Sequence, residues 1–156
     1  MSDLSVFLPL VVLQAFPGNI PVETAAHYRY MQAVAMIESA GNKNAIGDGG
    51  RARGAWQMHR AAWVDAQAWQ RARGARPWAW SDWQHPQAQT EMAFAYLKVC
   101  SRRLEGAGVK VDPVNLYLCY AMGFAAFEKA RFDRAAVPGE KLNAAERVEA
   151  IFIHGR

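Results

Sequence analysis

The chain has 156 residues and a formal net charge of +4. This length suits one domain with a real core, so we predict a single domain over residues 1–156. An apolar fraction of 52% excludes an intrinsically disordered chain. The basic pI, about 9.3, favours anionic partners such as cell-wall polymer, nucleic acid or lipid headgroups, but it does not choose among them.

The N-terminal stretch is apolar over residues 6–16 but makes a poor signal peptide. Asp3 precedes it, no Lys or Arg does, and Pro9 interrupts it. It is also too short to span a bilayer, so we expect a first helix or strand packed on the domain and no stable membrane insertion. Action outside the cytoplasm would then need another release route, or a leader that this sequence lacks.

The next elements along the chain are predicted from apolar spacing and from glycines. A helix begins near Pro21 and stops at Gly41; its apolar stripe is Ala26, Tyr30, Ala33, Val34 and Ile37. Residues 41–54 are rich in Gly, Asn and Asp, which predicts a loop or a small hairpin. Helical spacing resumes over residues 55–72, and an irregular connection follows as far as residue 86.

Three helices are predicted in the second half of the chain. The first runs over residues 86–105, with a proline in its first turn. Asp112 is predicted to be the N-cap of the second helix, with Pro113 as its first helical residue. Because this helix is very apolar, it should be central in the fold. A final helix is predicted to begin near Asn143, with Glu146 as its capping-box partner. Together these elements predict a mainly α fold with one small non-helical lobe.

The chain has two cysteines, Cys100 and Cys119, each inside an apolar helical pattern. This context predicts two small core residues. A single disulfide between them remains open, and neither has a credible partner for nucleophilic catalysis.

Glu38 is a lone carboxylate at the end of the first predicted helix. The negative end of the helix dipole disfavours its ionisation, and the apolar neighbours Val34, Ile37 and Ala40 would desolvate it. Both effects raise the pKa, and a glutamic acid that stays protonated near neutral pH can act as a general acid. The alternative from this position alone is a solvated glutamate in a last turn.

Four short motifs surround or follow Glu38: Glu38-Ser39, Gly41-Asn42, Asn44-Ala45 and Gly54-Ala55-Trp56-Gln57-Met58. They resemble the lysozyme-like superfamily, and most closely its lytic transglycosylases and phage-type or invertebrate-type lysozymes. The resemblance covers about residues 30–130. It implies a lysozyme-like single domain, mainly α, with a small loop or β-hairpin lobe.

The resemblance also implies roles for single residues. Glu38 matches the catalytic acid, and Ser39, Gln57 and Met58 match residues that line the sugar cleft or orient it. Tyr120 matches a tyrosine that reaches toward the acid, where its phenol could donate to the acid or to substrate.

Two further segments resemble the family more weakly, and each departs from its pattern at one position. Gln89 stands where the family helix usually carries Asn. Ala121 replaces the Asn of the segment usually written Tyr-Asn-Ala-Gly, which puts one substrate hydrogen bond in doubt.

Two reaction types remain open for such a site. Glycoside hydrolysis usually needs two carboxylates, and Asp48 is the nearby candidate, although an Asp before Gly-Gly also suits an ordinary turn. In lytic transglycosylases a single Glu acts as acid and then as base, and the muramic acid closes into a 1,6-anhydro ring. Because the sequence supplies one well-placed Glu, it favours the transglycosylase.

The six tryptophans lie between residues 56 and 83 and are interleaved with arginines. Such a pattern could contact glycan, could bind single-stranded nucleic acid, or could be structural. Nucleic acid is not expected, because it would leave Glu38 and Gln57 unexplained.

A non-catalytic peptidoglycan-binding or structural protein is the other class of alternative, and Ala121 is the feature that supports it.

We therefore predict a peptidoglycan-cleaving muramidase that acts on glycan strands at the cell wall or in the periplasm. No cofactor is expected, and no metal, because the four histidines lack the paired spacing of zinc peptidases. A monomer is expected. The sequence leaves open whether the context is phage lysis, phage entry, a secretion apparatus or wall remodelling.

Overall fold

The computed structural model describes residues 22–155. The element predicted over residues 6–16 lies outside the described residues. In chain order the described elements are α1 (Val22–Ser39), β1 (Ile46–Gly47), β2 (Ala52–Arg53), α2 (Arg60–Arg71), α3 (Pro86–Gly106), α4 (Pro113–Met122), α5 (Phe124–Lys129) and α6 (Gly139–His154). The predicted mainly α fold with a small hairpin lobe is thereby confirmed.

Helix α4 forms the centre of the described chain and packs against α3, α5 and α6. Residues 114–120 are all buried, which fits a helix that is apolar all round. The predicted N-cap is confirmed, because the Asp112 side chain accepts a hydrogen bond of 2.9 Å from the Asn115 amide. Arg134 forms two further bonds to the Asp112 carboxylate, so the start of the central helix is held from outside as well.

Cys100 on α3 and Cys119 on α4 are buried free thiols. The predicted core role is confirmed. The pair lies where the two helices meet, so it contributes to the packing of α4.

The hairpin lobe follows α1 directly. β1 pairs antiparallel with β2, with Ile46 opposite Arg53 and Gly47 opposite Ala52. A short 3₁₀ turn over Asp48–Gly50 joins the strands. The glycine-rich segment predicted as a loop or hairpin is therefore a hairpin, and it folds back toward the end of α1.

The predicted helix over residues 55–72 begins later than expected, at Arg60. Met58 instead pairs with Arg53 through two backbone hydrogen bonds of 3.1 Å. Gln57 has a left-handed backbone, with φ of +46°, a conformation that is incompatible with the interior of a right-handed α-helix. Pairing with β2 thus overrides the helical spacing of this segment.

The last helix begins earlier than predicted, at Gly139, so the expected start near Asn143 is wrong. The Pro138 carbonyl accepts the first helical bonds, from the amides of Lys141 and Leu142. Asn143 therefore lies inside α6, where it caps nothing. None of the described helices is long and apolar enough to cross a membrane.

Several of the tryptophans serve the structure of the domain. The Trp56 indole donates to the Met31 carbonyl, and the Trp63 indole donates to the Trp78 carbonyl. The Arg73 guanidinium stacks 3.1 Å from the ring centroid of Trp69. At least one of the interleaved arginines therefore makes an intramolecular cation–π contact. This favours the structural interpretation of the tryptophan-arginine pattern.

Candidate active site

A cavity of about 570 Å³ opens beside the C-terminal end of α1. Its walls come from α1, the hairpin, the start of α2, α3, α4 and the first turn of α6. The polar and aromatic side chains that line it are Glu38, Asp48, Gln57, His59, Tyr96, Tyr120 and Lys141. No tryptophan is among the lining residues.

Glu38 enters this cavity because the helix ends immediately after it. Ala40 and Gly41 have left-handed backbones, with φ of +54° and +75°. The Gly41 amide donates to the Ala35 carbonyl, which closes the last turn. The carboxylate therefore stands at the junction between the helical wall and the hairpin lobe.

The electrostatics of Glu38 suit a general acid. Burial raises the pKa of Glu38 above its ordinary value, in the direction that the sequence predicted. A hydrogen bond from Tyr117 and the charges of Lys141 and His59 oppose this shift only in part. The environment therefore favours the protonated acid more than water does.

Tyr117 is the tyrosine that contacts the acid. Its hydroxyl donates to Glu38 Oε1 over 2.7 Å, and burial together with the Glu38 charge raises the pKa of this phenol. The Tyr120 hydroxyl, which was expected to reach toward the acid, donates instead to the Trp56 carbonyl. Tyr120 still lines the cavity, but the hydrogen bond to the acid comes from Tyr117.

Ser39 does not line the cavity. Its hydroxyl donates to the Ala55 carbonyl over 2.7 Å and so joins the end of α1 to the turn after β2. The geometry thus gives Ser39 a positioning contact between two walls of the cleft.

Gln57 and Met58 both line the cavity. The Gln57 side-chain amide donates to the Gly54 carbonyl over 2.9 Å, which fixes the side chain within its own turn. Its amide oxygen packs so closely on Gly47 that a Cβ at that position would collide with it. The hairpin glycine is therefore needed for the placement of Gln57.

Gln89 on α3 connects both ends of the hairpin. Its Oε1 accepts from the Ala55 amide over 2.9 Å, and its Nε2 donates to the Lys43 carbonyl over 2.8 Å. One buried side chain thereby holds the chain on each side of the β-strands.

Asp48 lines the same cavity as Glu38. Its carboxylate pairs with Arg51 over 2.7 Å and with the His59 ring over 3.2 Å. Its backbone is left-handed, with φ of +50°, an uncommon conformation for a residue other than glycine. Asp48 is thus both a turn residue and a carboxylate facing the cleft.

Four polar or aromatic residues of this site were not predicted from the sequence: His59, Tyr96, Tyr117 and Lys141. Tyr117 had a usable signal, because it lies one helical turn before Tyr120 on the same face of α4. Ala121, the departure from the family pattern, also lines the cavity.

Among the described residues no three His, Cys, Asp or Glu side chains come together so that they could hold a metal ion.

Comparison with curated proteins gives no match, and comparison with solved structures gives none either. The family model of the transglycosylase SLT domain matches residues 23–143, which is most of the chain. Domains of this family are lysozyme-like and cleave glycosidic bonds in cell-wall peptidoglycan. The chain belongs to the transglycosylase SLT domain family.

Proposed function

We propose that this protein is a lytic transglycosylase that cleaves the β-1,4 bond between N-acetylmuramic acid and N-acetylglucosamine, with Glu38 as its acid and base. The observation that carries the proposal is the environment of Glu38. The carboxyl group lines the cavity, burial raises its pKa, and the Tyr117 phenol binds one of its oxygens. This is the arrangement that a single acid-base residue needs.

The proposed reaction uses one carboxyl group twice, first as an acid and then as a base. Glu38 donates its proton to the glycosidic oxygen, the bond breaks, and the N-acetylglucosamine side leaves as an alcohol. The resulting carboxylate accepts the proton of the 6-hydroxyl of the muramic acid as that oxygen bonds to C1. The product is a 1,6-anhydro sugar, no water is consumed, and Glu38 is protonated again. Because Tyr117 occupies Oε1, we assign the proton transfers to Oε2.

The test of this role is Glu38→Gln, which preserves shape but removes the transferable proton. We expect the release of soluble fragments from purified peptidoglycan to fall by about 100-fold or more. Glu146→Gln is the matched control, since Glu146 is exposed on α6 and does not line the cavity. Both variants should keep the circular dichroism spectrum of the parent. Cleavage retained in folded Glu38→Gln would refute the assignment.

A hydrolytic lysozyme is the second candidate, and the position of Asp48 is the observation that favours it. The carboxylate faces the same cavity as Glu38, although Arg51 and His59 already engage it. A hydrolase would use this group to activate water or to act as a nucleophile. Asp48→Asn should then abolish cleavage, whereas a transglycosylase should keep making its anhydro products.

A further inference from the structure

Lys141 is the only Lys or Arg among the described residues that line the cavity. It is half-buried in the first turn of α6, a helix that packs on both α1 and α4. These are the two helices that carry Glu38 and Tyr117. The lysine is therefore presented to the cleft from a fixed element.

Lys141 makes no ion pair with any carboxylate in the described part of the chain. The other cavity carboxylate, Asp48, is already paired with Arg51 and His59. Lys141 is near enough for its charge to lower the pKa of Glu38, yet the two groups form no ion pair. A half-buried ammonium that lines a cleft and has no ion-pair partner among the described residues favours an anionic ligand.

We propose that Lys141 binds a carboxylate on the lactyl arm of the N-acetylmuramic acid, and so selects muramyl strands over neutral glycans. The inference rests on the proposed function, because that function supplies the substrate. The sugar rings of the glycan are uncharged, and the lactyl arm carries its anionic groups. These groups are the lactyl carboxylate itself in peptide-free strands, or carboxylates of the attached peptide stem.

A different role for Lys141 would be to act only on Glu38 through its charge. The two roles differ in what they change. A carboxylate-binding lysine changes the KM, and only for substrates that carry the carboxylate. A lysine that acts on Glu38 changes the pH profile of kcat equally for all substrates.

The experiment compares Lys141→Met and Lys141→Arg on four soluble strands: peptide-bearing, peptide-free, and each of these with its carboxylates converted to methylamides. The expected result for Lys141→Met is a KM raised about tenfold on one carboxylate-bearing strand and changed less than about twofold on its amidated form. Lys141→Arg should restore most of the affinity. Whether the effect falls on the peptide-free or the peptide-bearing strand identifies the source of the carboxylate.

Lys129→Met is the matched control. Lys129 is exposed in the last turn of α5 and does not line the cavity, so the same change of charge should leave all four KM values as they are. An equal loss on carboxylated and amidated strands would overturn the proposal. So would a change in kcat with KM unaffected.

A binding measurement separates this proposal from the proposed function. Titration calorimetry of Glu38→Gln, with and without Lys141→Met, gives the Kd of each strand without any cleavage. Wild-type protein that binds but never cleaves would refute the proposed function, and the Kd values would still test Lys141. Equal affinity for carboxylated and amidated strands, or no measurable affinity, would overturn the role of Lys141.

Discussion

Gln89→Ala should loosen the connection between helix α3 and the hairpin lobe. Gln89 is 3% exposed, and its amide bonds the Ala55 amide on one side of the hairpin and the Lys43 carbonyl on the other. Alanine would leave both backbone groups without these partners. The buried Ala55 amide left unpaired costs about 1–3 kcal/mol, and the lost bond to the carbonyl of the exposed Lys43 costs about 1 kcal/mol, so we expect the free energy of unfolding to fall by about 2–4 kcal/mol. That is a large share of the roughly 5–15 kcal/mol of a typical domain.

The assay is urea unfolding followed by tryptophan fluorescence and circular dichroism. The midpoint should fall without a change in slope, because the variant loses stability and not compactness. Gln87→Ala is the matched control on the same helix. Gln87 bonds only Glu91, four residues on, so its loss should cost about 0.5 kcal/mol or less. The reasoning is refuted if Gln89→Ala costs no more than Gln87→Ala.

Gln89→Glu sharpens the same test. The new side chain keeps an acceptor for the Ala55 amide but, when ionised, loses the donor to the Lys43 carbonyl. Burial would raise the pKa of this carboxyl in the folded state, so the protonated form is the stabilising one. The variant should therefore regain stability as the pH falls and lose it as the pH rises. A stability that is independent of pH would contradict this description of the contact.

Two further predictions concern the acid and the hairpin. Tyr117→Phe removes a hydrogen bond that lowers the pKa of Glu38, so the alkaline limb of the kcat/KM profile should move to higher pH. Tyr30→Phe is the control: it removes a hydrogen bond of 2.7 Å to the Pro113 carbonyl and should leave the alkaline limb of the profile where it is. If Tyr117→Phe does not move this limb, the proposed effect of Tyr117 on Glu38 is refuted. Gly54 has a φ of +74°, and a Cβ at this position would collide with the side-chain amide of Gln89. Gly54→Ala should therefore lower the free energy of unfolding by at least about 2 kcal/mol, measured by thermal unfolding. Gly49→Ala, at φ of +62° with no atom near its Cβ, should cost about 1 kcal/mol, and equal costs would refute the collision.

Local signals in the sequence predicted several of the helix ends. The end of α1 follows from residues next to one another along the chain, and the N-cap of α4 from Asp112 and Pro113. The start of α6 was missed because a proline carbonyl, and not a capping side chain, accepts its first bonds. The start of α2 was missed because strand pairing by Met58 has no local signature.

The candidate site was only partly predictable for a related reason. Glu38 was predicted from the motifs around it together with its place between a helix and a glycine-rich loop. Tyr117 and Tyr120 lie on one face of α4, and only tertiary packing decides which hydroxyl meets the acid. Lys141 is distant from Glu38 in sequence and reaches the cavity through helix packing. No local pattern reports such a contact.

The most direct test of the central claim is mass spectrometry of the muropeptides that the wild-type protein releases from purified peptidoglycan. Our account predicts products one water lighter than the hydrolytic fragments, ending in 1,6-anhydro muramic acid, and none from Glu38→Gln. Products with reducing ends would contradict the transglycosylase and make Asp48 the second catalytic group. Polymer that is bound but unchanged would contradict catalysis altogether and give weight to the alanine at position 121.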